Sequence, residues 1–166
     1  MKIELKKFQF FERMSEETYA FVSDVYVDGV KAGFAKNDGI GGETYIHCYE
    51  GKGELIKKAE AFCKSLPPIV SKEFDFSYDM NLENFIDDLV CEELEKKEQK
   101  KMEKKMEKTI MWGVPNGHSY KQVPFKVSLD KIPLLQLQGF VDKYKKEFKE
   151  GEQFLNTNLE KLGVKI

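Results

Sequence analysis

The sequence has few of the residues that most often carry chemistry in small proteins. Its three cysteines, Cys48, Cys63 and Cys91, show no CxxC spacing. They indicate small buried residues in a reducing compartment, not a disulfide framework. There are only two histidines, and no acidic residues are spaced beside them as ligands. We therefore expect no metal site and no cofactor.

Long apolar runs and an excess of positive charge are also missing. No stretch approaches the ~18 consecutive apolar residues of a membrane span, and the N-terminal run MKIELKKFQF alternates like a strand, unlike a signal peptide. The formal net charge of −2 and the pI of about 5.8 disfavour a general nucleic-acid binder. These features predict a cytoplasmic protein without a membrane partner, and nucleic acid is a less favoured partner than protein.

The stretch around which the chain is organised runs from Asp79 to about Lys108 and is expected to form one long helix. Its first half carries seven acids and no base as far as Glu95, and Lys96 then begins a run with seven lysines and three glutamates. Apolar residues recur every three or four positions in the first half, which predicts that this half is packed and the second half solvated. These residues are Leu82, Phe85, Ile86, Leu89, Val90 and Leu94.

Four lysines of the second half, Lys97, Lys101, Lys104 and Lys108, lie four, three and four residues apart, so we expect them to share one face. One interpretation is that acids at the start and bases at the end complement the helix dipole and keep the helix soluble. The alternatives are that the stripe binds an anionic partner, or that it meets the acidic half of a second, antiparallel copy.

The segments before this helix predict a four-stranded antiparallel meander with one covering helix. Asp28-Gly29 between two valines is a strong hairpin signal, and the glycine-rich run 37–42 predicts a looser turn that could also serve as a binding surface. A helix over 54–65 is expected to cover the apolar face of the meander. The strands are expected at 3–10, 19–27, 30–35 and 44–49, with a further extended segment, including Phe74, over 69–78.

The segments after the long helix predict a second hairpin, 109–114 with 119–127, and a returning helix that Pro133 opens. The apolar residues of the returning helix form a heptad-like seam that reaches Leu155. We expect this helix to pack antiparallel on the long helix. The fold class is therefore α+β. We expect domain boundaries of 1–78 and 79–166, as one compact unit with an extension.

Two neighbouring segments are candidates for binding a ligand. Gly51-Lys52-Gly53 precedes a helix start, where free amide hydrogens and a lysine can hold a phosphate. An ordinary glycine turn is the alternative, because the P-loop spacing is missing. Tyr45, His47 and Tyr49 share one strand face that could stack a ring or a base. The alternative is that this face is only the partly solvated side of an antiparallel sheet.

Trp112 and Tyr120 on the second hairpin are candidates for an interaction surface, since these residue types are enriched in interface hot spots. A Cys–His enzyme is disfavoured. His47 and Cys48 are adjacent and point to opposite faces of a strand, while His118 could meet a cysteine only through the tertiary fold.

Three runs of the sequence resemble small uncharacterised proteins carried by phages and mobile elements of gut bacteria. The resemblance carries no catalytic motif and transfers no residue role. It implies an accessory protein that binds a host or phage component, for example against a defence system. The runs are YVDGVKAGFAKNDGIGGETYIHCYEGKGELI, KTIMWGVPNGHSYKQVPFK and FLNTNLEKLGVKI.

We therefore expect a non-enzymatic interaction protein, a homodimer that contacts a protein partner through the long helix and the hairpin around Trp112. The alternative is a small-ligand or nucleotide-binding module that uses the Gly51–Gly53 turn and the Tyr45, His47 and Tyr49 face. A third hypothesis, less favoured than both, is an enzyme with Cys48 or His118 as its reactive group.

Overall fold

Helices and antiparallel sheets are mixed along the chain, which confirms the α+β class. The computed structural model describes residues 1–71, 76–117 and 119–166. Its internal contacts divide the chain into two units, which we call unit 1 (Met1–Leu94) and unit 2 (Glu95–Ile166). This division falls inside the long helix, whereas the sequence-based boundary lies ahead of it, at 78/79.

Unit 1 contains the predicted meander. Each strand pairs antiparallel with the next one along the chain, in the order β1-β2-β3-β4. Asp28 and Gly29 both adopt positive φ, 48° and 81°, which is the backbone of a two-residue type I′ hairpin turn. The first strand contains a bulge at Lys7, where φ is 54° and the register shifts. The strands are β1 (Ile3–Phe10), β2 (Phe21–Val27), β3 (Val30–Asn37) and β4 (Tyr45–Cys48).

Two helices cover the apolar side of this sheet: α1 (Gly53–Lys64) and the first half of α2 (Leu82–Met106). The side chain of Asn81 caps α2, because its Oδ1 accepts a hydrogen bond of 2.7 Å from the amide of Asn84. The helical residues buried in the shared core are Ala59, Cys63, Leu82, Ile86 and Val90. The first half of α2 is thus packed, as its sequence predicts, and the residues from Glu95 to Lys101 are exposed.

The segment predicted to be extended over 69–78 forms two short strands, β5 (Ile69–Ser71) and β6 (Phe76–Tyr78). They pair antiparallel with each other and not with the meander. Phe74, which the sequence places in the same segment, lies outside the described residues.

Unit 2 holds a three-stranded sheet in the order β8-β7-β9, built from β7 (Thr109–Gly113), β8 (Tyr120–Pro124) and β9 (Gln153–Phe154). The predicted second hairpin is therefore present, and a third strand completes it. A further helix, α3 (Leu134–Lys145), packs on this sheet. The buried residues of this second core are Ile110, Trp112, Leu129, Leu137, Val141, Phe154, Leu159 and Val164.

The prediction that the returning helix continues to Leu155 and packs on the long helix is wrong. The helix ends at Lys145, Gly151 turns the chain with a φ of 79°, and Phe154 joins the sheet. The apolar seam of α3 is buried in the core of unit 2 because the sheet of unit 2 provides the nearest apolar surface. None of the helices in the described part of the chain is long and apolar enough to cross a bilayer.

Candidate functional site

A cluster of aromatic rings covers part of the solvent-facing side of the meander, and we call it the aromatic face. It consists of Phe34, Tyr45, His47 and Tyr49. The β3–β4 register places Phe34 directly opposite His47, and their ring centroids lie 5.0 Å apart. Centroid distances of 6.1 to 6.4 Å join His47 to the two tyrosines, and Phe34 lies 6.3 Å from each tyrosine.

The aromatic face is accessible, because Tyr45 keeps 53% of its surface exposed and His47 is also exposed. Alternation along β4 explains this, since Ile46 and Cys48 turn inward while their neighbours face solvent. A lysine lies at the edge of the face: the Lys31 ammonium is 5.0 Å from the Tyr49 ring centroid and 3.0 Å from the Asp24 carboxylate. The hydrogen bond to Asp24 raises the pKa of Lys31.

The Gly51-Lys52-Gly53 turn follows the aromatic face directly. The Lys52 amide donates a 3.0 Å hydrogen bond to the Tyr49 carbonyl, and α1 begins at Gly53. The side chain of the N-cap residue, Lys52, makes no capping hydrogen bond. The structure thus places the two predicted ligand-binding segments next to each other in unit 1.

The predicted lysine stripe is exposed, but only part of it lies on the helix. Lys97, Lys101 and Lys104 lie in the second half of α2, whereas Lys108 follows the helix end at Met106. The Lys101 ammonium lies 3.5 Å from the Glu98 carboxylate.

Trp112 does not lie on the surface. Its ring is 3% exposed and stacks 5.1 Å from Tyr144 in the core of unit 2. Burial on both faces of the central strand β7 therefore removes Trp112 from the candidate interaction surface. Tyr120 is exposed, and its hydroxyl oxygen accepts a 2.8 Å hydrogen bond from Lys105, a residue that the sequence analysis did not single out.

The adjacent residues Cys48 and His47 make separate contacts. The Cys48 thiol donates to the Tyr49 carbonyl at 3.2 Å, and the His47 ring packs among the aromatic residues. His118 lies outside the described residues. Within the described ranges, no group of three or more His, Cys, Asp or Glu side chains is placed to hold a metal ion.

A hydrogen-bonded loop around Asn37 is a second feature, and sequence reasoning did not find its internal order. The Asn37 Oδ1 accepts 2.8 Å bonds from the Gly39 amide and the Thr18 hydroxyl. The Asn37 Nδ2 donates to the Gly42 carbonyl at 2.9 Å and to the Thr44 hydroxyl oxygen at 3.3 Å. One buried amide thus fixes the whole 37–42 loop.

The same loop is joined to α2 and to the 16–18 segment. The Thr44 hydroxyl donates a 2.6 Å bond to the Asp87 carboxylate. The Gly39 carbonyl accepts three amide hydrogens, from Glu16, Glu17 and Thr18, at 2.9 to 3.3 Å. Beside the loop lies a cavity of about 480 Å³, which we call the loop cavity.

Sequence signals for these missed residues are partial. Phe34 could have been found by continuing the meander register across the 37–42 turn, which sets it opposite His47. Asn37 precedes an Asp-Gly turn, where asparagine often bonds its own backbone. Nothing local in the sequence links Asp87 to Thr44, because 43 residues separate them.

Comparison of the chain with protein families, with curated proteins and with solved structures finds no match in any of the three.

Proposed function

We propose that this protein is a non-enzymatic interaction protein that contacts a protein partner through the aromatic face of unit 1. The observation that carries the proposal is the mutually packed ring cluster of Phe34, Tyr45, His47 and Tyr49. Within it Tyr45 and His47 are exposed, and the other two rings are half-buried. Tyrosine and other rigid aromatic side chains are enriched in hot spots, since they bury large areas at little cost in conformational entropy.

The rings also hold one another in place, which favours binding. A side chain that is already ordered loses less rotamer freedom when a partner covers it. The cluster is continuous across two strands, so a partner would meet one surface and not scattered side chains.

The test is site-specific photocrosslinking in cells of the producing organism. A benzoylphenylalanine residue replaces the exposed Tyr45, and the matched control replaces Lys58, which is exposed on α1 in the same unit. We expect the Tyr45 variant alone to form a discrete, protease-sensitive adduct, and His47→Ser in the same chain to reduce its yield severalfold.

The crosslinking result also separates the alternatives. An adduct of twice the chain mass would identify a second copy as the partner at this face. A nuclease-sensitive adduct would replace a protein partner with nucleic acid. Equal labelling at positions 45 and 58, or no adduct at either, would contradict the proposal.

A nucleotide or another small ring-bearing ligand is the second candidate. The bond between the Lys52 amide and the Tyr49 carbonyl favours it, because this bond joins the aromatic face to a helix start that the Lys52 side chain does not cap. We expect ligand at ~100 Kd to stabilise unit 1 by about 2.7 kcal/mol. Thermal denaturation across a nucleotide panel, with inorganic phosphate as the control, is the measurement.

We also place a homodimer within the proposal. Unit 1 carries 11 basic and 19 acidic residues, a formal −8, whereas unit 2 carries 16 and 10, a formal +6. Two copies could therefore bring the acidic first half of one α2 against the lysines of the other. Electrostatic complementarity of this kind mainly fixes register and orientation.

Charge reversal tests the dimer. The four lysines of the predicted stripe, Lys97, Lys101, Lys104 and Lys108, are changed to glutamate, and native mass spectra are recorded over a dilution series. We expect the dimer to dissociate at roughly tenfold higher concentration. The matched control reverses four exposed lysines at the end of α3 and beyond, namely Lys143, Lys145, Lys146 and Lys149. An equal loss in both variants would show a dependence on net charge alone.

The proposed setting is the reducing cytoplasm of a cell that carries a phage or mobile element. No disulfide joins any of the three cysteines, all of which lie in the described part of the chain, and this suits that compartment. The resemblance of the three sequence runs to proteins of such elements supports an accessory role.

A further inference from the structure

The loop cavity is separate from the aromatic face, since no residue of that face lines it. Its volume of about 480 Å³ lies within the range of small-ligand pockets, roughly 300–1,000 Å³. Two aromatic residues, Tyr19 and Phe21, form part of its wall, and Cys91 of α2 lines it as well. The cavity thus has both apolar and polar walls.

The walls of the loop cavity are fixed by bonds already described. The side-chain amide of Asn37 donates hydrogen bonds to Gly42 and Thr44, and its carbonyl oxygen accepts hydrogen bonds from the Gly39 amide and the Thr18 hydroxyl. Gly39 cannot be replaced freely, because its φ is +88° and an added Cβ would meet the Met14 carbonyl. A site on such a framework is largely formed before a ligand arrives.

The charged groups on the cavity wall are all of one sign. Three carboxylates line the cavity, from Glu16, Glu17 and Asp87, and none of its described lining residues is lysine, arginine or histidine. With the amide hydrogens of Asn37 already used, these carboxylates leave mainly hydrogen-bond acceptors for a ligand. The wall therefore suits a donor-rich cation next to an aromatic ring.

The electrostatic environment of Asp87 also favours a bound cation. Burial, followed by the charges of Glu83 and Asp88, raises the pKa of this carboxyl, although the Thr44 hydroxyl opposes the shift. A cation bound beside Asp87 would relieve the repulsion. Because the described chain offers no metal-binding cluster, an organic cation fits better than a metal ion.

We propose that the loop cavity binds an alkylammonium or guanidinium group, with the carboxylates of Glu17 and Asp87 accepting its hydrogen bonds and the Tyr19 ring beside it. The group could belong to a free polyamine-like molecule or to a lysine or arginine side chain of a protein. Both sources present the same chemistry to the cavity.

The thiol of Cys91 provides a reporter in the native chain. Cys91 is exposed at the cavity, whereas Cys63 is buried and serves as an internal control. Labelling rates are measured by peptide mass mapping with two methanethiosulfonates of similar size, one carrying trimethylammonium and the other sulfonate. Each rate is divided by the rate of the same reagent with a small neutral thiol. We expect the normalised rate at Cys91 to be roughly tenfold higher for the cationic reagent, because the carboxylates concentrate cations.

Occupancy is then measured as protection of Cys91. Agmatine and spermidine represent free cations, and N-acetyl-arginine amide and a tri-lysine peptide represent protein side chains. We expect saturating cation to slow labelling of Cys91 at least about fivefold. Protection by agmatine and spermidine alone would indicate a free ligand, and protection by N-acetyl-arginine amide and the tri-lysine peptide alone would indicate a partner's side chain. Protection by all four would support a cation site that accepts both sources.

The variants Glu17→Gln and Asp87→Asn should bring the ratio of the two rates towards one and abolish protection. Glu12→Gln, an exposed acid of the neighbouring segment that does not line the cavity, should leave both unchanged. Circular dichroism checks that each variant is folded. Equal rates for the two reagents, or a preference for the cationic reagent without protection by any cation, would overturn the proposal.

Discussion

Unit 1 and unit 2 both contain a cluster of aromatic side chains, which is partly exposed in unit 1 and buried in unit 2. Unit 1 carries an aromatic cluster on the outside of its sheet, with Tyr45 53% exposed. Unit 2 encloses its aromatic stack, with Trp112 3% exposed between its neighbours Tyr144 and Phe148. Their formal charges also differ, −8 against +6.

The difference comes from what covers each strand. Among the described strands, β4 pairs only with β3, at the end of the order β1-β2-β3-β4, and its residues alternate between exposed and partly buried positions. β7 is paired on both sides, and every one of its five residues is buried. An aromatic residue in a strand thus marks a contact surface only where one face of that strand stays open to solvent.

The strongest test of this comparison is Trp112→Ala. Removing a buried indole should destabilise unit 2 by about 3–5 kcal/mol, because it leaves a cavity and removes the stack on Tyr144. Hydrogen exchange followed by peptide mass spectrometry reports the two units separately. Protection should fall in peptides of β7 and β9 and stay unchanged in β1 to β3.

Tyr45→Ala is the matched control, since it removes an aromatic ring from the exposed face. We expect its effect on stability to stay within about 0.5 kcal/mol. If the two variants destabilised the protein equally, the contrast between an enclosed and an open aromatic cluster would be lost.

The next largest effect is expected at the loop of unit 1. Gly39→Ala should cost about 1–3 kcal/mol, because alanine resists a φ of +88° and its Cβ would meet the Met14 carbonyl. Gly42→Ala in the same loop meets no atom within 4 Å and has no positive φ, so it should be close to neutral. Urea unfolding followed by NMR cross-peaks of unit 1 measures both, and a neutral Gly39→Ala would contradict the rigid loop.

The local parts of the fold were predictable from sequence. Asp28-Gly29 predicts the first hairpin, and the three-to-four spacing in α2 predicts its packed half. The alternation of Tyr45, His47 and Tyr49 gave the aromatic face. Each of these signals acts over a few residues.

What sequence reasoning missed depends on long-range pairing. Sequence places Trp112 at the surface because it shows only one partner strand, and β9 lies some forty residues further along the chain. The apolar residues that close the core of unit 2 continue the helical spacing of α3, and spacing alone does not show which surface those residues pack against. The bond between Thr44 and Asp87 has no local signature at all.

The smallest expected effect is a pH dependence of opposite sign in the two units. Burial raises the pKa of Asp87 in unit 1 above its ordinary 3.8. In unit 2, the Lys149 amide, 2.8 Å away, and then the Lys121 ammonium lower the pKa of Glu152 below its ordinary 4.5. Folded unit 1 thus binds more protons at Asp87 than the unfolded chain does, and folded unit 2 binds fewer at Glu152.

The sign of each pH effect follows from these shifts. As pH rises through the window above 3.8, Asp87 ionises at a cost and unit 1 loses stability. The contribution of Glu152 is complete above pH 4.5 and is lost as pH falls through its lowered pKa.

Urea unfolding between pH 3 and 6, followed by NMR cross-peaks of each unit, should show that the stabilities of the two units change with pH in opposite directions. Asp87→Asn, which keeps an oxygen for the Thr44 hydroxyl, should reduce the slope in unit 1 only, and the raised pKa of Asp88 should leave a smaller slope of the same sign. Glu152→Gln should reduce the slope in unit 2 only. Slopes of the same sign in both units would mean that other carboxylates control the acid response.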